Sequence, residues 1–249
     1  MPPKFIALTR DVTGNQLWGE IMQARGVPVY RLPCIEIQPS PLTPHIQAAL
    51  ERFASYQWAV FTSAMGVKRF AELAVEAGLD RRLLTAAWYA AVGHQTADAL
   101  KSLGLVVRFT PSTANAATLA RELKRVKSRQ ILLLRTSIAP PEAADILRGR
   151  GAHVIDLPIY QTLPVTDPDP GFAQLLREGS VGGLVFASPS AVDGFMHRLA
   201  DPVALELARD VPSAALGPTV AAALSSHGFR AVRTAPRPSL EAALEVLAW

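Results

Sequence analysis

The chain has 249 residues, enough for one large domain or two ordinary ones with a proper core. Apolar residues make up 49% and charged residues 18%, which excludes a disordered chain. Lys plus Arg total 25 against 21 Asp plus Glu; the net charge of +4 comes without a basic run, so no nucleic-acid partner is expected and a small anionic ligand is compatible.

Phe5 to Arg10 reads as a short buried strand ending in polar groups. Gly14 to Arg25 carries Leu17, Ile21 and Met22 at helical spacing, and Gly26 stops that helix. Val27 to Leu32 is a second strand, so the chain opens with a βαβ unit and a parallel sheet. Pro33 to Pro41 is bounded by prolines and reads as an extended connector. The spacing then predicts a helix over Pro44–Phe53, a strand over Trp58–Thr62, a helix from Ser63 to Ala77, a strand over Trp88–Val92, a helix opening at Gly93–Thr96, a strand over Val106–Phe109 and a helix over Ala116–Val126. Gln130–Arg135 restarts the pattern as a strand, followed by a helix over Glu142–Arg148. Gly151 to Pro164 is an extended, Pro-bounded stretch with Tyr160 in it. A helix near Phe172–Arg177, a strand over Leu184–Ala187, a helix over Ser190–Leu199, a strand over Ala214–Leu216, a helix opening at Gly217–Thr219, a strand over Ala231–Thr234 and a helix over Leu240–Leu247 complete the chain.

The halves repeat. Arg10 and Arg135 are 125 residues apart, as are Val60-Phe-Thr-Ser63 and Val185-Phe-Ala-Ser188; Gly93 and Gly217 are 124 apart. That period is far longer than a solenoid unit, so the repeating element is a small α/β domain of about five strands, the pattern of a doubly wound open sheet.

Ligands of open parallel sheets bind beyond the carboxyl ends of the strands, where helix N-termini offer free N–H groups to anions. Thr9-Arg10, Thr62-Ser63, Gly93 to Thr96, Arg135-Thr136, Ser188 to Ser190 and Gly217 to Thr219 all fall there. Ser and Thr at such positions also serve simply as helix caps. No G-x-G-x-x-G, P-loop or G-x-S-x-G pattern is present, and the five histidines show no metal spacing. Cys34, the single cysteine, reads as a small buried residue. Strict alternation puts Ile159 and Leu163 on one face and Tyr160 with Thr162 on the other. Tyr160 is then either a proton donor, protonated at neutral pH, or a packed linker aromatic. No apolar run reaches the length of a membrane span, and the start lacks the apolar core of a signal peptide, so the expected compartment is the cytoplasm and no membrane partner is expected.

Taken together, Leu8-Thr-Arg10, Trp58-Ala-Val-Phe-Thr-Ser63, Ala91-Val-Gly93 with Thr96-Ala97, Ile131-Leu-Leu-Leu-Arg135, Pro158-Ile-Tyr160, Val185-Phe-Ala-Ser-Pro-Ser190, Ala215-Leu-Gly-Pro-Thr219 and Pro238-Ser-Leu-Glu241 resemble the uroporphyrinogen-III synthase family over nearly the whole chain. The resemblance implies two doubly wound, flavodoxin/Rossmann-like parallel-sheet lobes joined by a two-stranded antiparallel linker. One lobe would hold residues 1–36 and 164–249 and the other 39–158, with linkers near 33–39 and 158–165. Each lobe would combine the first βαβ of one repeat with the remainder of the other. The implied reaction, a cyclising hydro-lyase step of haem and porphyrin biosynthesis, closes hydroxymethylbilane to uroporphyrinogen III with inversion of ring D and loss of water. No cofactor and no metal are implied. Tyr160 matches the family's tyrosine as the catalytic residue; Arg10, Thr62, Ser63, Ala64, Gly93, Thr96, Arg135, Ser188, Ser190, Gly217 and Thr219 would bind the substrate's eight carboxylates. The implied partners are this linear tetrapyrrole and, transiently, hydroxymethylbilane synthase, around a monomeric enzyme. Ala64-Met-Gly66 and Val220 depart from the family pattern, the first where Asn often follows Ser-Ala and the second where another Thr often follows. The competing reading is a non-catalytic two-lobe binding protein for an anionic metabolite; a phosphosugar or nucleotide enzyme is weaker, for want of a Gly-rich phosphate loop.

Overall fold

A computed structural model describes residues 4–249. The first βαβ unit is β1 (Phe5–Leu8), α1 (Val12–Ala24) and β2 (Val29–Arg31). Asp11 caps α1 by accepting the Gly14 N–H, and Gly26 leaves the helix at φ +73°, the left-handed turn that glycine makes without a Cβ clash. Then come β3 (Ile35–Pro39), α2 (Pro44–Glu51), β4 (Trp58–Phe61), α3 (Ala64–Glu76), β5 (Trp88–Ala91), α4 (His94–Ser102), β6 (Val107–Phe109) and α5 (Ala116–Glu122). The second half runs β7 (Gln130–Thr136), α6 (Glu142–Gly149), β8 (His153–Pro164), α7 (Pro170–Arg177), β9 (Val181–Phe186), α8 (Pro189–Arg198), α9 (Pro202–Asp210), β10 (Ser213–Ala215), α10 (Pro218–Ser226), β11 (Val232–Thr234) and α11 (Leu240–Leu247).

The chain divides into two compact units, one made of the residues up to Ile37 with Thr162–Trp249, the other of Gln38–Gln161. The first three residues of the lobe read from residue 1 lie outside the described residues. The first unit holds a sheet in the order β11-β10-β9-β1-β2 with every neighbouring pair parallel. The second holds the order β3-β8-β7-β4-β5-β6, parallel from β8 to β6. With the edge strand β3 of the second sheet set aside and the other five numbered within their repeat, each sheet reads 2-1-3-4-5, the flavodoxin-like order. Strands 2 and 1 come from one repeat and strands 3, 4 and 5 from the other.

Alternation along the central strands decides which helices cover which face. In the first unit Ile6, Leu8, Val185 and Ala214 pack with Trp18 and Met22 of α1 and Leu240, Leu244 and Leu247 of α11. Ala7, Leu184, Phe186 and Ala215 face the other way, against Phe172 of α7, Phe195 of α8, Ala204 and Ala208 of α9 and Leu224 of α10. Phe195 stands edge-on to Phe172 and Phe186 at 5.9 and 5.3 Å between ring centres. Each of these fully buried rings stabilises the unit by about 1.5–3 kcal/mol. In the second unit Trp58, Val60, Ala90, Ile131 and Leu133 pack under α5 and α6. On the opposite face Phe61 meets Phe70 of α3 and Tyr89.

The extended, proline-bounded segment is strand β3, and β8 gives it the hydrogen-bonding neighbour expected of a two-stranded linker. The Ser40 N–H donates to the Ile159 carbonyl and the Val165 N–H to the Cys34 carbonyl, so the two run antiparallel. The expected helix to Val126 stops at Glu122, because Leu123 turns to ψ 124° and Arg125 takes a positive φ. Helix α9 adds to the elements expected from the sequence, with Asp201 and Pro202 as its cap and first residue.

Candidate functional site

In the second unit, β4 ends at Phe61 and the chain turns through Thr62 and Ser63 into α3. The Ser63 hydroxyl oxygen accepts the Gly66 N–H at 2.9 Å, capping the helix, and lies 2.7 Å from the Tyr160 hydroxyl. Tyr160 comes from β8, opposite Thr136 at the carboxyl end of β7. The register slips by one residue between Arg135 and Thr136, making a bulge at Ile159. That bulge breaks the expected alternation, and Ile159 and Tyr160 are both buried. Tyr160 is only 5% exposed. Burial raises its pKa above the ordinary phenol value, and the Ser63 hydrogen bond pulls in the opposite direction. A Cβ on Gly66 would sit 3.2 Å from the Ser63 oxygen and 3.7 Å from the Tyr160 ring, so glycine lets the first turn of α3 close onto the pair.

Other residues expected at this end of the sheet have varied partners. Thr62 reaches the Leu134 carbonyl with its hydroxyl at 3.4 Å, a long bond. Ala64 opens α3 and offers only backbone. Gly93 precedes α4 without a side-chain cap, and Thr96 is buried in that helix's first turn. Arg135 is already committed. Its Nε and Nη2 grip Asp156 at 2.6 and 2.8 Å, and its Nη1 donates to the Thr136 and Ala139 carbonyls. Little of its donor capacity is left for a ligand. Thr136, which the sequence offers only as the neighbour of Arg135, has a buried hydroxyl oxygen without a partner, beside Tyr160 in register.

In the first unit, Arg10 follows β1 with its guanidinium 4.4 Å from the centre of the Trp18 ring. Among the described residues its guanidinium donates to no acceptor, and burial lowers its pKa while nearby Asp11 opposes the shift. The Ser188 oxygen accepts the Ala191 N–H at 3.2 Å and lies 2.9 Å from the Ser190 hydroxyl. Gly217 precedes α10 in an extended conformation with no side-chain cap, and Thr219 is exposed. The buried Thr9 donates to the Val185 carbonyl at 2.7 Å and holds strand to strand. Each unit therefore carries two helix N-termini beside polar side chains at the carboxyl ends of its strands, an arrangement suited to carboxylates. Among the described residues no three His, Cys, Asp or Glu side chains form a metal-holding group, and no helix is long and apolar enough to cross a membrane.

A family model described as uroporphyrinogen-III synthase HemD matches residues 17–245. The chain belongs to the uroporphyrinogen-III synthase family. A uroporphyrinogen-III synthase from Chlorobaculum parvum is 26% identical over 233 residues, 91% of each chain. A porphyrin biosynthesis protein HemD from Ruminiclostridium josui is 29% identical over 198 residues, 79% of this chain; the match spans 39% of that longer protein. Among solved structures, a mutant uroporphyrinogen III synthase from Thermus thermophilus superposes with a TM-score of 0.69 at 22% identity, covering 98% of this chain and 96% of that one. The Helicobacter pylori enzyme gives 0.61 at 18% identity and 98% coverage of both. At these identities the structures speak for the fold, and the two-lobe α/β architecture is common to all three chains.

Proposed function

We propose that this member of the uroporphyrinogen-III synthase family cyclises hydroxymethylbilane to uroporphyrinogen III, with Tyr160 as its proton donor. The observation that carries the reading is the Tyr160–Ser63 pair, a buried phenol held 2.7 Å from a helix-capping hydroxyl at the carboxyl end of a parallel sheet. A phenol whose pKa is raised by burial keeps its proton at neutral pH and can release it to a leaving hydroxyl.

Tyr160 O–H protonates the substrate's hydroxyl, water departs, and the pyrrole nitrogen's electron pair leaves an azafulvene cation. The substituted carbon of the last ring attacks that cation to give a spiro intermediate. The bond from that carbon to its original methylene bridge then breaks, leaving a second azafulvene cation on the neighbouring ring, and the inverted ring's unsubstituted carbon attacks that methylene to close the macrocycle. The proton lost from that carbon balances the one that Tyr160 supplied. No step needs a redox partner. Most of the protein's work lies in holding one geometry against unassisted closure. Arg10 and the α3, α4, α8 and α10 N-termini are the proposed carboxylate contacts, with the Thr62, Ser63, Ala64, Gly93, Thr96, Ser188, Ser190, Gly217 and Thr219 region around them. Arg135 supports the site by clamping Asp156 across β7 and β8. A monomeric state, cytoplasmic location and transient delivery from hydroxymethylbilane synthase belong to the same reading.

The test generates hydroxymethylbilane in situ, adds the protein and separates oxidised type I and type III products. Dominant type III product is expected; type I alone from folded protein sinks the proposal in favour of a binding protein.

A further inference from the structure

The second unit carries another concave feature, at the opposite end of β7 from Tyr160. Trp58 opens β4 and Trp88 opens β5, opposite each other in parallel register. Trp58 also pairs with Ile131, near the start of β7, whereas Tyr160 pairs with Thr136 at its end. The two indoles meet edge to face at 5.3 Å. With Arg108, Phe109, Lys124 and Arg125 they line a cavity of about 350 Å³.

Its chemistry differs from that of an ordinary surface hollow. The Arg108 and Arg125 guanidiniums lie 5.2 and 5.8 Å from the centre of the Trp88 ring. Neither they nor Lys124 takes a carboxylate partner among the described residues, and no acidic side chain lines the cavity. Elsewhere arginines close onto carboxylates, as Arg69, Arg135 and Arg198 do. Arg125 also sits at φ +56°, a strained backbone for a residue other than glycine, of the kind that gathers at ligand clamps. Trp58 is only 5% exposed, and its indole N–H is buried with no acceptor. Buried donors nearly always have a partner.

We propose that this cavity binds a planar aromatic anion, with a ring of nucleobase or indole size against Trp58 and Trp88 and a phosphate or carboxylate held by Arg108, Lys124 and Arg125. The volume is at the low end of small-molecule sites, which run from about 300 to 1,000 Å³, and suits one such molecule. The ring supplies dispersion and stacking while the anion meets three cations that lack a counter-charge. A ligand here does not touch Tyr160, so this is a site separate from the proposed chemistry.

Calorimetry and tryptophan fluorescence on the intact protein test it, with adenosine 5′-monophosphate and indole-3-acetate as probes and adenosine and inorganic phosphate as controls. At least one aromatic anion should bind saturably below about 1 mM, with both controls weaker by about tenfold or more. Which probe binds tells a phosphate ligand from a carboxylate one. The double variant Arg108→Ala with Lys124→Ala, both at exposed positions, should raise Kd about tenfold with an unchanged melting temperature. The proposal is overturned if neither aromatic anion binds, if phosphate alone binds as tightly, or if the double variant binds like the parent.

Discussion

Tyr160 and Ser63 make the sharpest residue-level prediction. Tyr160→Phe keeps the ring and removes the proton, so kcat should fall while the melting temperature moves little. We expect a loss of about tenfold, below the 10²–10⁴ typical of general acids, because the azafulvene also forms unaided. The required form is the protonated phenol. Since burial raises the folded pKa, activity should hold through neutral and mildly alkaline pH and fall only above the ordinary phenol value of about 10. Ser63→Ala removes the bond that lowers that pKa, so its alkaline limb should move upward; it also removes a cap, at a cost of about 1 kcal/mol. A pH–rate profile of both variants decides it, and an unmoved limb in Ser63→Ala would break the link between the two side chains. The sequence made Tyr160 visible as a lone aromatic in a proline-bounded strand. Its burial was not legible, because the Ile159 bulge depends on the β7 register and not on local alternation. Arg10 and Arg135 looked equivalent 125 residues apart; only the fold brings Asp156 to one and Trp18 to the other.

At the scale of elements, Gly194 illustrates what periodicity misses. It lies in α8 where the helix crosses the chain at Cys34, so tightly that a Cβ would overlap the Cys34 carbonyl. Gly194→Ala would ordinarily favour a helix by about 1 kcal/mol. Here α8 must retreat from the start of the crossing strand, and a net loss of about 2–3 kcal/mol is expected from overpacking. Urea unfolding measures it; a stabilised variant would mean that the approach is looser than described. The strands and most helices were readable, since buried runs such as Ile131–Leu134 and caps such as Thr43 and Ser239 carry local signals. Strand β3 is legible through the family resemblance, as half of a two-stranded linker, and not through local periodicity, because its pairing is supplied by a distant strand, β8, in the other half of the sequence.

For the molecule as a whole, the duplication was legible and the exchange was not derivable from spacing. Repeats fix which segments are alike, and the sheet order fixes which ones pair. β1 pairs with β9 and β4 with β7, so each sheet takes its central strands from both halves. A chain cut between residues 124 and 125 therefore yields two pieces that each lack the centre of two sheets. Each piece alone should show no cooperative urea transition, and mixing them should restore one. The continuous segment Gln38–Gln161 should instead unfold cooperatively by itself. Circular dichroism of the three fragments checks this, and an independently folded 1–124 piece would contradict it.

The exchanged strands also bear on ancestry. Two copies of one small unit that trade their opening βαβ segments form a domain-swapped dimer, and this chain has that arrangement with its two copies fused end to end. Such a fusion keeps the copies from drifting independently. A change in Ile6 is felt by Gly183 opposite it and Val185 on the same face, not by the matching strand of its own repeat, so compensating substitutions must arise across the seam of the duplication.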